Sequence, residues 1–415
     1  MALCMNPAEE KETVPKQALT GLKIVELAQG VAAPYLGKLF ADFGAEVIKV
    51  EPPGVGDEAR TLPPLTDGVD FPEASGLFAY LNANKKSATL DLRQAKGAAL
   101  AERLCRGADV VIENFAPGAL DRVGLGFNEL SRKNPNLIYV SLTWFGQDGP
   151  YQDFKGGDAM IHALSGVSFY IGPTEGPPYL PGGYQAQFVG GVTAFVPAMG
   201  AIVGRKRGHR GQHVDVSILE SNLCFTETGI SSFANTGEPG KRHGVNRFIP
   251  TYPACAFPCK GGWIGANVLT PAQWQGLCDL IGLPELKENP DYSTSILRLE
   301  HADELEPVLA ARFLARTAEE WFHLAQARRI PFSLVPTMAE LLASPHFSER
   351  QSFGPISHTD IGTFQAPTVP FKLLKTPALC GGASPRLGQH NREIHEGSLG
   401  LSEAEMARLR DEGVI

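Results

Sequence analysis

Apolar positions in the first third of the chain switch repeatedly between two periods. Residues 22–27 (LKIVEL) read as a short strand around Ile24 and Val25. In residues 34–43, Leu36, Leu39, Phe40 and Phe43 fall at i, i+3, i+4 and i+7, one apolar helix face. Pro34 suits the first turn of that helix and Gly44 suits its stop. Residues 46–51 (EVIKVE) read as a second strand, 109–113 (DVVIE) as a third and 137–142 (LIYVSL) as a fourth. Between the second and third strands, residues 94–106 form a helical pattern around Leu100 and Leu104, with no Ser, Thr, Asp or Asn directly before it.

Strands alternating with helices predict an α/β fold with a doubly wound, Rossmann-like parallel sheet. In such sheets ligands bind beyond the carboxyl ends of the strands. Those ends are residues 28–33, 52–56, 114–117 and 143–149, three of them rich in Gly, Pro or Ala. The pattern changes in the middle of the chain. TYPACAFPCKGGWIGANV reads as a hairpin turning at Lys260-Gly261-Gly262, and residues 271–281 and 317–328 are amphipathic helices. The domain reading is a polar tail at 1–18, a large domain begun at 19–224, a smaller α+β domain at 225–325, and the large domain resumed at 326–415. The large domain is therefore expected to be discontinuous. IPFSLVPTMAELLASPHF reads as the return to it, and LSEAEMARLRDEG as a short terminal helix.

The net charge of −8 argues against a general nucleic-acid binder, which needs a basic stripe to displace counterions. A small anion held by a few local cations stays open. Cys4, Cys105, Cys224, Cys255, Cys259, Cys278 and Cys380 are odd in number and contain no Cys-x-x-Cys pair. They read as neutral thiols in a reducing cytosol rather than as disulfides or metal ligands, so no metal is expected. The polar N-terminus has no apolar signal core. Residues 188–204 are apolar but short of the ~20 residues that cross a membrane, and Pro197 and four glycines break them. They predict a buried helix or helix pair, and the chain is expected to be cytoplasmic, away from membranes.

Phosphate-loop, Gly-x-Ser-x-Gly and His-Glu-x-x-His motifs are absent. The first strand runs into AQGVAAP rather than Gly-x-Gly-x-x-Gly. After the second, GVGDEA carries Asp57 and Glu58, which would repel a pyrophosphate, so no nicotinamide or flavin is expected. His213, Asp215 and Ser217 are spaced by two. That puts them on one face of a strand, pointing the same way, whereas a triad meets head to tail. Asp158 stands in KGGDAMIHALSGV, ahead of a short helix over 159–164 that Ser165-Gly166 would end. One reading is a plain N-cap. The other is a covalent nucleophile, favoured as an anion by the helix field and left open to a substrate by its glycines. Spacing alone leaves both.

The blocks LTGLKIVELAQGVAAPYLGKLFADFGAEVIKVEPPGVGDEAR, NANKKSATLDL, ADVVIENFAPGALDRVGL, SLTWFGQDGP, GGDAMIHALSGV, GQHVDVSILES, IPFSLV, SPHFSER and PRLGQHN follow one another over residues 19 to 396. In that order they resemble the family III CoA-transferases, which include formyl-CoA and carnitine CoA-transferases. The resemblance implies that Asp158 is the nucleophile. It implies coenzyme A contacts at Leu90, Arg93, Asn114, Phe115 and Arg122, with Arg93 and Arg122 suited to phosphates. It implies an acyl-CoA donor, a free carboxylic acid acceptor and no cofactor. It implies an interlocked homodimer, with a heteromer formed with a paralogue as the alternative. Asp158 would form a mixed anhydride and then an aspartyl-CoA thioester.

The α-methylacyl-CoA racemases share the fold but place a His directly before this Asp, where Gly157 stands, and an acid in the segment that reads PGGYQAQFVGG here. Racemisation needs two proton-transfer groups, so transfer is the favoured reading. A racemase or epimerase, or a silent CoA-binding subunit, are its rivals. The glycine-rich lid of formyl-CoA transferase is replaced by KRHGVNRFIPTYP, and Pro52 stands where an Arg is associated with the second strand. Gly156 and Gly157, or residues 143–146, are candidate oxyanion donors. Phe248, Tyr252 and Trp263 point to a larger or apolar acceptor, or simply to core packing.

Overall fold

The computed structural model describes residues 17–379 and 381–415. Residues 1–16 of the expected tail, with Cys4, and the isolated Cys380 lie outside them. The chain forms two compact units. One takes in the chain up to Ser165, Gly182–Cys224 and Pro345–Ile415; the other takes in Gly166–Pro181 and Phe225–Ser344.

The first unit is built on a six-stranded sheet. Its strands are β1 (Lys23–Leu27), β2 (Glu46–Glu51), β3 (Lys86–Thr89), β4 (Val110–Glu113), β5 (Ile138–Thr143) and β6 (His213–Ser217). They run in the order β3-β2-β1-β4-β5-β6, and every pairing is parallel. Alternate residues feed opposite faces. Val25, Val50 and Val111 pack with Leu100 and Leu104 of the helix Ala95–Arg106 and with Met406 and Leu409 near the C-terminus. Ile24, Val47, Ile112 and Val140 pack with Leu36 and Phe40 of the helix Ala32–Asp42 and with Ala194 and Ala198 of the helix Gln185–Lys206. The sheet is thus doubly wound. Its strand order reverses between β1 and β4, where a crevice opens at the carboxyl ends.

Three local expectations change. The strand β3 (KSAT) has no apolar run and was not read as a strand. It is an edge strand completed from outside the sheet by His390 and Asn391. The apolar stretch at 188–204 belongs to one helix, Gln185–Lys206, with Pro197 inside it. It is long and apolar enough to cross a membrane, but only one of its faces is buried. Gly191 sits so close to the helix Ala32–Asp42 that a Cβ would lie 2.7 Å from the Ala32 carbonyl. Val192 and Val196 on the other side are exposed. Finally, the stretch after Ile330 first extends the sheet of the second unit.

That second unit carries the hairpin β7 (Ala254–Cys259) and β8 (Gly262–Asn267), turned by Lys260 and Gly261, with Gly261 at φ +80°. A third strand, β9 (Phe332–Leu334), pairs antiparallel with β8. Phe257, Ile264, Trp274, Leu309, Phe313 and Trp321 form its core. The C-terminal part of the first unit adds a small sheet of β10 (Phe353–His358), β11 (Gly362–Pro367) and β12 (Gly382–Ala383).

Candidate active site at the switch point

At the reversal point the loops after β1 and β4 are tied together. Asn114 accepts a hydrogen bond from the Gln29 amide at 3.0 Å and donates its own amide to the Gln29 carbonyl at 2.6 Å. Both residues, with Phe115, Trp144 and Gln187, line a cavity of about 250 Å³. The fold rule expects a ligand in this position.

The wall after β1 is held from below by buried charge. Lys49 donates to Glu26 at 2.8 Å and to the Ala28 carbonyl at 2.9 Å, and it pairs with Asp57. Asp57 in turn accepts from the Gly30 amide at 2.7 Å. Burial opposes the charge of Lys49, but Asp57, Glu26 and Glu51 outweigh it and hold the ammonium above its ordinary pKa. Lys85 donates to Glu26 at 2.8 Å and to the Pro34 carbonyl at 2.7 Å, and burial pushes it down to about 8. Asp57 is therefore engaged in scaffolding. Glu58 is the acid that lines the cavity, and burial raises its pKa.

The wall after β4 rests on Glu113, which is 4% exposed. Its carboxylate accepts from the Phe115 amide at 2.9 Å. Burial pushes its pKa up to about 7, against hydrogen bonds from Ser141 and the Phe115 amide. Behind it lies a separate polar cavity of about 130 Å³ that also reaches Asp121, Ser141 and His213.

Asp158 is the first residue of the helix Asp158–Leu164, and Gly157 occupies the cap position. Asp158 therefore does not hold the position that the plain N-cap reading needs, and its side chain bonds Gln187 instead. Its oxygens turn to another helix. Oδ2 accepts from Gln187 Nε2 at 2.7 Å, and Oδ1 accepts from the Gln187 backbone amide at 3.3 Å. Gln187 lies in the first turn of the 22-residue helix Gln185–Lys206, whose first amides have no partner within the helix. The half-buried carboxylate thus caps the start of that longer helix. The two glycines before Asp158 differ in purpose. A Cβ on Gly156 would fall 2.3 Å from the Trp144 ring, so only glycine fits there. Nothing lies within 4 Å of a Cβ on Gly157, whose φ of −177° suits any residue. The missing side chain leaves open space beside Asp158.

Residues 19–391 match the family profile described as CoA-transferase family III. The chain belongs to CoA-transferase family III. It is 37% identical to the succinyl-CoA–D-citramalate CoA-transferase of Chloroflexus aurantiacus, over 97% of this chain and 99% of that protein. It is 29% identical to the human succinyl-CoA:glutarate CoA-transferase, over 96% of this chain and 90% of that one. Among solved structures, a CAIB/BAIF family protein from Brucella suis superposes with a TM-score of 0.82 at 29% identity, covering 92% of this chain and all of the other. The chain is accordingly an enzyme, a CoA-transferase.

In this family III transferase the residues singled out from sequence fall into separate groups. Asn114 and Phe115 line the switch-point cavity, together with the Gln187 that binds Asp158. Arg93 and Arg122 line a different hollow of about 580 Å³, with Lys133 beside them. Arg93 is already engaged, holding Asp91 through Nε at 2.9 Å and Nη2 at 3.1 Å. Leu90 is 1% exposed and packs in the core, so its side chain reaches neither hollow. His213, Asp215 and Ser217 stand on β6 and act separately. His213 bonds Ser141, Asp215 accepts from the Gln147 amide, and Ser217 caps the helix Ile218–Asn222. Of the candidate oxyanion donors, the Gly146 amide is spent on Thr143 Oγ1 at 3.0 Å. Tyr252 is fully buried in the second unit, whereas Phe248 and Trp263 are exposed. Sequence reasoning missed Gln187 and Glu113. Gln187 lies in PGGYQAQFVGG, a segment searched for an acid and not for an amide.

Proposed function

We propose that this CoA-transferase passes coenzyme A from an acyl-CoA donor to a free carboxylic acid through covalent intermediates on Asp158. One observation carries the reading: the Asp158 carboxylate is bound by Gln187, a residue that lines the switch-point cavity. An Asp158 oxygen attacks the donor thioester carbonyl. The C–S bond breaks, giving an aspartyl–acyl anhydride and CoA thiolate. The thiolate then attacks the aspartyl carbonyl, releasing the donor acid as its carboxylate and leaving an aspartyl-CoA thioester. The acceptor carboxylate attacks that thioester and expels CoA thiolate again. The thiolate then attacks the acceptor's carbonyl in the new anhydride, which frees Asp158 and yields the product acyl-CoA. One acyl bond replaces another at each step, so neither metal nor redox cofactor is called for. Water must stay out of the cavity, because it would hydrolyse the anhydride.

The two named relatives act with succinyl-CoA on citramalate and on glutarate. Succinyl-CoA with a panel of dicarboxylic acids is therefore the first pairing to test. Arg93 and Arg122 suit the phosphates of coenzyme A, and Asn114 and Phe115 its reactive end. A cytoplasmic, interlocked homodimer fits the family resemblance and the discontinuous first unit. Racemisation is disfavoured, because Gly157 offers no proton-transfer group and residues 181–191 hold no acid. The test is Asp158→Ala assayed for transfer from succinyl-CoA, alongside hydroxylamine trapping at Asp158 in the unmutated chain. Loss of turnover supports the reading, and full turnover in the mutant overturns it.

A further inference from the structure

Gln187 contacts both oxygens of Asp158, and the two contacts are unequal. The side-chain amide holds Oδ2 at 2.7 Å, while the backbone amide reaches Oδ1 at 3.3 Å. The backbone that carries the donor is itself tied down. Ala186 beside it is fully buried, and its carbonyl accepts from Asn222 Nδ2 at 3.2 Å. The same Asn222 amide also binds the Ile218 carbonyl at 2.8 Å, which ties the start of the long helix to the segment after β6. The helix start that carries Gln187 is thus tied down, and Gln187 lines the cavity where the reaction is placed.

We infer that Gln187 is a catalytic residue, the oxyanion donor for the tetrahedral adducts that form on the Asp158 carboxyl carbon. The inference rests on the covalent role proposed for Asp158. Oδ1, the weakly held oxygen, attacks the donor thioester and becomes the bridging atom of the anhydride. Oδ2 stays on the Gln187 amide and becomes the aspartyl carbonyl oxygen. When CoA thiolate adds to that carbonyl, a C–S bond forms and the carbonyl π pair moves onto Oδ2. Gln187 Nε2–H meets the charge where it develops. Collapse of the adduct restores the carbonyl and expels the donor carboxylate with Oδ1 as its new oxygen. The same amide serves again when the acceptor carboxylate attacks the aspartyl-CoA thioester. A donor fixed in advance at such a position costs no reorganisation during the reaction.

The test measures formation of the aspartyl-CoA adduct by mass spectrometry in single turnovers with succinyl-CoA alone. Gln187→Ala should form it about a hundredfold more slowly, with KM for succinyl-CoA changed by no more than about twofold. Gln187→Glu separates donation from packing. An ionised carboxylate cannot donate a hydrogen bond, whereas a protonated one can. Its rate should therefore rise as pH falls, relative to the unmutated chain. An adduct at the unmutated rate in Gln187→Ala overturns the inference, as does a flat relative pH profile in Gln187→Glu. Should Gln187→Ala fail to fold, the Gln187→Glu profile decides alone. Absence of any adduct in the unmutated chain would instead remove the proposed role of Asp158, so the two failures are distinct.

Discussion

Gln187 holds both carboxylate oxygens of Asp158, by its side chain at 2.7 Å and by its backbone amide at 3.3 Å. The pair joins two elements 29 residues apart, the start of a short helix and the start of a long one. An aspartate at a helix start ordinarily spends its carboxylate on its own amides. Here the carboxylate is spent on another helix, at a residue that lines the cavity. The bond to Oδ1 is the longer of the two.

The buried charges beneath the first cavity loop should behave as one unit. Lys49 is fully buried against Glu26 and Asp57. Lys49→Met would leave those carboxylates short of their shared partner, and breaking a buried pair costs about 3–5 kcal/mol. Urea unfolding should show a loss of that size. A change below about 1 kcal/mol would mean that the pair contributes no more than a surface one.

Glu113 predicts a pH dependence of stability. Its folded pKa is raised by burial from 4.5 to about 7. Between those values the folded chain keeps a proton that the unfolded chain has released. The stabilisation is full below the unfolded pKa and is lost as pH rises through the folded one, a swing of about 3 kcal/mol. Glu113→Gln stays neutral and should gain stability relative to the unmutated chain as pH rises from 5 to 8. Denaturation at both pH values checks this, and an equal difference at each would contradict it.

The edge strand β3 depends on a residue far along the chain. Asn391 accepts from the Thr89 amide at 2.8 Å and donates to Thr89 Oγ1 at 2.8 Å. Thr89 is 5% exposed, so Asn391→Ala leaves a buried amide without its partner. Such a loss costs about 1–3 kcal/mol. Thermal or urea unfolding should show it, while an unchanged midpoint would mean that water replaces the side chain freely.

Arg122 and Arg93 should differ in their effect on substrate. Arg93 already binds Asp91, whereas Arg122 lines the same hollow with no such bond among the described residues. If the hollow receives the phosphates of coenzyme A, Arg122→Ala raises KM for acyl-CoA roughly tenfold and leaves kcat nearly unchanged. Arg93→Ala should have the smaller effect, and the Arg122 effect should shrink at high salt. Equal KM values in all three proteins would remove both residues from phosphate binding.

Sheet and helices were legible where apolar residues repeat, as Leu36, Phe40 and Phe43 do on the helix against the sheet. They were not legible in Lys86–Thr89. That segment is a strand because β2 pairs with it on one side and because His390 and Asn391 complete the other. The switch-point location of Asn114 and Phe115 followed from strand ends. Leu90 came from the resemblance alone, and its side chain packs in the core. Asp158 was visible only as an ambiguity. The partner of its carboxylate lies in another helix, and no local spacing encodes a contact between a carboxylate and a distant helix start.

In the proposed mechanism Asp158 carries the transferred group. The measurement is mass spectrometry of the protein incubated with succinyl-CoA and hydroxylamine. The expected result is a hydroxamate on the Asp158 peptide that requires the acyl-CoA and is absent in Asp158→Ala, together with loss of turnover in that variant. A hydroxamate on another residue, or full turnover in Asp158→Ala, would contradict it.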